Sequence, residues 1–233
     1  FYLKQLVVEF ENHISEAYPT EESLEDVLEQ VHLNPCIEGP VLLIEPADNI
    51  GGGTPGDGTG LLAPLLAKGL SNIIAIINDP EASNYCHSKK ITQQITVSLG
   101  GKTDIYHGRP IRFSGQIIHL SDGKFELENK KSHLASMMGS KINMGPCAVV
   151  KNNQATILIT SQKTPPMDLG QLYSQKILPE DADFIVIKAS VSHKDAYDPI
   201  AGASFNVDSI GLCSSRLDAL PYAKLTGKHI IRP

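Results

Sequence analysis

Short, uninterrupted apolar runs alternate along this chain with segments of helical period, and that alternation is the strongest constraint on its fold. Val41-Leu-Leu-Ile44, Ile73-Ile-Ala-Ile-Ile77 and Phe184-Ile-Val-Ile187 carry no polar residue to turn toward water. Strands of this kind belong to parallel sheets covered on both faces. Leu61, Leu62, Leu65 and Leu66 fall at helical spacing between the first two runs, and residues 80–90 read as a helix entered through Pro80. Strand, helix, strand, helix predicts a right-handed βαβ unit and a parallel sheet. The pattern returns late in the chain, with a helix at Leu169–Lys176, the strand at Phe184–Ile187 and a short helix at Ser192–Tyr197.

Residues 91–160 read differently. Ile95–Leu99 alternates and is followed by a Gly100-Gly101 turn. Ile111–Leu120 alternates as well, and Ser121-Asp-Gly123 predicts a hairpin into Lys124–Glu128. Ala148–Val150 and Ala155–Thr160 pair across a turn at Asn152-Asn153. The expected fold class is therefore α/β, a mostly parallel sheet flanked by helices, with an antiparallel β-rich portion around residues 91–160.

Upstream of the first run, Leu3, Leu6, Val7, Phe10, Ile14 and Ala17 follow the 3.6-residue period, which predicts a helix over 2–17. Pro19 stops it. Thr20 is placed to cap a second helix with the stripe Leu24, Val27, Leu28 and Val31, which Asn34-Pro35 ends. Residues 1–35 thus form a helical segment whose stripes need a partner, and residues 36–233 form the α/β domain.

With 20 Lys+Arg against 26 Asp+Glu the net charge is −6. That argues against a general nucleic-acid binder, which needs a basic face. No apolar run approaches the roughly 20 residues of a membrane span. Cys36, Cys86, Cys147 and Cys213 are widely spaced, with no C-x-x-C pair. They read as reduced, buried thiols of a cytoplasmic protein and not as a zinc site. None of the eight histidines forms H-x-H or H-E-x-x-H.

Ligands of open α/β sheets sit outside the carboxyl ends of the strands. Asp48 and Asn49 follow the first run, Asn78 and Asp79 the second, Thr160, Ser161 and Lys163 the strand at 155–160, and Lys188 the last. The loop Asp48-Asn-Ile-Gly51-Gly-Gly-Thr-Pro-Gly56-Asp57 stands out, because consecutive glycines are entropically costly. It reads either as an anion cradle leading to a helix capped by Asp57, or as a tight turn with no ligand. Gly51, Gly53 and Gly56 also match G-x-G-x-x-G, with Asp79 placed as a ribose-binding acid, but Asp48 and Asp57 would repel a pyrophosphate. Pro64 should kink the helix that follows. Lys188 reads either as a desolvated donor or as a lysine with its head in water.

The stretch Pro40-Val-Leu-Leu-Ile-Glu-Pro-Ala-Asp-Asn-Ile-Gly-Gly-Gly-Thr-Pro-Gly-Asp57 resembles the signature of the C-terminal domain of the MlrC (microcystinase C) family of metallopeptidase-like proteins. The similarity continues through Asn78–Ala82, Leu99–Lys102, Ser121–Phe125, Thr160–Asp168, Ile187-Lys188, Tyr197–Ala201 and Leu217–Tyr222. The resemblance implies a two-domain zinc-dependent amide or peptide hydrolase. Its N-terminal domain would carry the zinc and the activated water, and the domain resembled here would close over them. Residues 1–35 would then be the tail of that first domain.

On this chain the resemblance implies no metal ligand and leaves catalytic residues unassigned. It implies that Asp48, Asn49, Gly51, Gly52, Gly53, Asp57, Asp79, Lys188 and His193 line the cleft. Asp48 and Asn49 would orient substrate, and the glycine N–H groups with Lys188 would hold a carboxylate or an oxyanion. Where the family has a histidine, an aromatic residue and an arginine, this chain has Ser192, His193 and Lys194. The implied partners are the chain's own N-terminal domain and a small peptide or amide, with no nucleic acid and no membrane, and with room for a homo-oligomer. The alternative is a non-enzymatic module that binds an anion or a dinucleotide at Gly51–Gly56. A purely structural or oligomerisation domain is a third reading.

Overall fold

The computed structural model describes residues 2–13, 16, 19–35 and 37–216. In chain order its elements are α1 (Tyr2–Asn12), α2 (Leu24–Leu33), β1 (Val41–Ile44), α3 (Leu62–Ala67), β2 (Ile73–Asn78), α4 (Pro80–His87) and β3 (Gln94–Leu99). There follow β4 (Ile111–Ser121), β5 (Lys124–Glu126), α5 (His133–Met138), β6 (Lys141–Asn143), β7 (Cys147–Lys151) and β8 (Ala155–Thr160). The last are α6 (Gly170–Tyr173), β9 (Phe184–Ile187), α7 (Lys194–Tyr197) and β10 (Ala203–Asn206).

Eight strands form one sheet in the order β10-β1-β9-β2-β8-β7-β4-β3. The first five run parallel, and β8, β7, β4 and β3 pair antiparallel. This is the expected mixed α/β sheet. Every residue of β1 and β9 is buried, as their continuous apolar runs require. Alternate side chains feed two cores. On one face Leu43, Ala75 and Ile157 pack with Leu62 and Leu65 of α3, Ala82 and Cys86 of α4, and Leu24 and Val27 of α2. On the other, Leu42, Ile44 and Leu158 pack with Leu134, Leu172 and Tyr197 from α5, α6 and α7.

Several local expectations are corrected. Lys124–Glu126 does not pair back on β4 but forms a separate ribbon with β6. Both edges of β4 are already taken, by β3 and by β7, where Ser121 lies opposite Cys147. Ser23, not Thr20, caps α2, its hydroxyl accepting from Asp26 N at 3.1 Å. Asp57 does not cap α3, whose cap position is Leu61 with no side-chain bond. Pro64 is the third residue of α3, between Ala63 N, which donates to Thr59 O at 2.9 Å, and Leu65 N, which donates to Leu61 O at 3.4 Å. The helix starting at Tyr2 ends at Asn12 and buries none of its residues. Its expected continuation through Ile14 and Ala17 lies outside the described residues, as does Cys36.

Candidate functional site

The site is built by register. Ile44 pairs with Ile187, so the next residues of β1 and β9, Glu45 and Lys188, emerge side by side at the carboxyl end of the sheet. The Lys188 ammonium lies 2.7 Å from Glu45 Oε2 and 2.9 Å from Asp48 Oδ2, and donates to Gly58 O at 2.7 Å. All three charged side chains are buried. The Asp48 carboxylate also accepts from Gly56 N at 2.9 Å and from Gly58 N at 2.7 Å. A Cβ on Gly58 would lie 2.7 Å from Asp48 Oδ2, so only glycine permits this approach.

Burial raises Asp48, but the lysine and the two N–H groups outweigh it and hold the carboxyl below its ordinary value. Burial pushes Glu45 up, and Lys188 only partly offsets this. Burial lowers Lys188, yet the two carboxyl groups hold it above the ordinary lysine value. The cluster therefore pairs one lysine with two carboxyl groups whose proton affinities are pushed in opposite directions. It ties β1, β9 and the glycine loop together below the surface.

The glycine loop above it consists of two 3-10 turns, Pro46–Asp48 and Ile50–Gly52. Its amides are engaged within the loop. Gly51 N donates to Asn49 Oδ1 at 3.0 Å, Gly52 N to Asn49 O at 2.9 Å and Gly53 N to Ile50 O at 3.0 Å. Gly53 ends the turn at φ 98°, a conformation that favours glycine. These glycines thus form an exposed, self-tied ridge and do not present a row of N–H groups to an anion.

Asp57 and Asp79 build the opposite wall. Asp57 Oδ2 accepts from Lys102 N, Thr103 N and Thr103 Oγ1, each at 2.9 Å. Asp79 caps α4 through Ala82 N at 2.9 Å, accepts from Gly100 N at 2.9 Å and pairs with Lys102 Nζ at 3.1 Å. Both carboxylates hold the 100–103 turn in place, and neither is open to a ribose. Beyond this turn, His107 is buried with Nδ1 between the two carboxylate oxygens of Asp104 at 2.9 and 2.8 Å, and Nε2 accepts from Leu212 N at 3.3 Å. Burial raises Asp104, but His107 and the neighbouring N–H groups hold it below its ordinary value.

Between these walls lies a cleft of about 410 Å³, lined by Gly52, Gly53, Thr54, Thr103, His107 and Lys163 among others. Leu212 and Cys213 close one side, the latter fixed by Cys213 N donating to Ala47 O at 3.1 Å. Of the residues singled out from sequence, Gly52 and Gly53 line this cleft. Asp48 and Lys188 lie beneath the glycine loop, and Asn49 sits within it. Asp57 and Asp79 buttress the wall. His193 is apart, at the start of α7 on the other face of the sheet. It is 1% exposed, no hydrogen bond reaches either ring nitrogen, and Asp198 is 4.0 Å away. Burial lowers it, more than Asp198 raises it.

Sequence reasoning passed over Glu45, Thr54, the Asp104–His107 pair and Lys163 as a site residue. The strand-end rule did flag Lys163, but only the fold shows that the β8 loop reaches the glycine ridge. Among the described residues no group of three or more His, Cys, Asp or Glu side chains could hold a metal ion.

The model of the MlrC C-terminus matches residues 43–224, and the chain belongs to that family. Among solved structures it is similar to one from Mesorhizobium sp. BNC1 named "Putative metallopeptidase", with 17% identity and a TM-score of 0.77. That likeness covers 96% of this chain and 44% of the other, so the chain spans less than half of that protein. No curated protein matches the chain significantly.

Proposed function

We propose that the chain is the C-terminal domain of an MlrC-like, metal-dependent amide or peptide hydrolase, with its glycine-ridged cleft turned toward a metal-bearing domain. The observation that carries this reading is the rim of the cleft. Leu212 lines the cleft, and Ile105, 86% exposed, Tyr106 and Ile210, close in the chain to the lining residues Asp104, His107 and Leu212, also place large apolar side chains in water. An exposed apolar rim of this kind marks a surface that another surface covers. The Mesorhizobium protein supports the reading, since it shares this fold over 44% of its length and bears a metallopeptidase name. In this reading residues 1–35 lead from the metal-bearing domain, which holds the zinc. This chain binds and orients a small peptide or amide. Its free thiols Cys86, Cys147 and Cys213 support a reducing, cytoplasmic setting. Among the described residues no helix is long and apolar enough to cross a membrane.

The test is turnover of a panel of small peptides and peptide amides. The longer protein that carries both domains is expected to hydrolyse members of the panel and to lose turnover to a chelator, whereas this chain alone is inactive. Metal-dependent hydrolysis by this chain alone would overturn the division of labour.

A further inference from the structure

We infer that Lys163 makes the glycine-ridged cleft a subsite for a carboxylate group of the substrate, an inference that rests on the reading of the cleft as the substrate-facing side of a hydrolase domain. The Lys163 ammonium donates to Thr54 O at 2.8 Å and to Gly53 O at 3.2 Å. Two carbonyls fix its position, and an ammonium has three donors. Among the described residues no carboxylate pairs with it. The acids near the cleft are tied to other partners. Asp104 is engaged by His107, and Asp57, behind the wall, by the amides of Lys102 and Thr103. The ammonium at the glycine ridge is thus held by two carbonyls alone and lines the cleft without a carboxylate partner among the described residues.

A second observation points to the same ligand. Thr54, 7% exposed, lines the cleft, and its hydroxyl has no hydrogen-bond partner. Buried hydroxyls are normally bonded, and this one is an unmet donor on the residue whose carbonyl holds the ammonium. A volume of about 410 Å³ lies within the range of small-ligand pockets. The geometry transfers to Lys163 the carboxylate-holding role that the sequence reading gave to Lys188, whose ammonium is sealed among Glu45, Asp48 and Gly58.

Amide resonances of isotopically labelled chain, titrated with N-acetylalanine and separately with N-acetylalaninamide, test this directly. N-acetylalanine is expected to give saturable shifts at Gly52, Gly53, Thr54 and Thr103, and the amide to give none. Lys163→Ala is expected to weaken binding about tenfold or more, while Lys163→Arg restores most of it. Lys163 is exposed, so neither change threatens folding. Equal binding of acid and amide, or unchanged binding by Lys163→Ala, would overturn the subsite. Because the readout is binding, it separates from the hydrolase reading. Carboxylate binding with no hydrolysis by the longer protein keeps the subsite and removes the hydrolase, and hydrolysis without carboxylate preference does the reverse.

Discussion

Lys188 is the residue on which the carboxyl end of the sheet is organised. Its ammonium meets Glu45 and Asp48 with almost no water present, so removing it leaves carboxyl groups without their counter-charge. Breaking one side of a buried pair typically costs about 3–5 kcal/mol. Lys188→Met should lower unfolding stability by about that much in a urea titration. Adding Glu45→Gln should recover part of the loss, because it removes the carboxyl already biased toward neutrality. A double variant no more stable than the single would contradict this account of the cluster.

His193 gives a second prediction at the same scale. Its folded pKa lies below the ordinary value of 6.5 because burial disfavours the charged ring. Between the folded and unfolded values the unfolded chain binds the extra proton. Its contribution to stability is therefore intact above about pH 6.5 and declines as pH falls below it. The decline is at most ~1.4 kcal/mol per pH unit for one proton. Urea titrations at pH 7.5 and pH 5.5 should show a larger loss in the native chain than in His193→Gln. Equal losses would mean that His193 titrates alike in both states.

At the scale of elements, legibility followed burial. The runs at 41–44, 73–77 and 184–187 were readable because a strand covered on both faces has no freedom in composition. The glycine loop was readable as special, but its bonds were not. The sequence places Asn49 two residues before Gly51, yet it does not reveal that three successive amides close on Asn49 and Ile50. Asp57 and Asp79 show the same limit. Each was identifiable as a polar residue near a strand end, but both are held by the 100–103 turn, whose approach depends on β3 lying at the far edge of the sheet. Lys188 was legible as a lysine at a strand end. Its partner Glu45 was not, because nothing local says that β9 inserts beside β1. The ribbon of β5 and β6 was misjudged for a related reason: the turn at Ser121–Gly123 is local, whereas the occupancy of both β4 edges is not.

At the scale of the whole molecule, the carboxyl end of the sheet brings several features together. It carries a cleft lined by Thr103, Asp104, His107 and Lys163 among others, an ammonium with no carboxylate partner among the described residues, and the exposed apolar side chains Ile105, Tyr106, Ile210 and Leu212 on the adjoining segments. The exposed Met137 and Met138 of α5 lie on the other face and serve as an internal reference. The central claim, that this end faces a second domain, is tested most directly by hydroxyl-radical footprinting of the longer protein against this chain alone. Tyr106 and Leu212 are expected to be protected severalfold in the longer protein, while Met137 and Met138 oxidise equally in both. Oxidation of Tyr106 and Leu212 at the same rate in both proteins would contradict the claim.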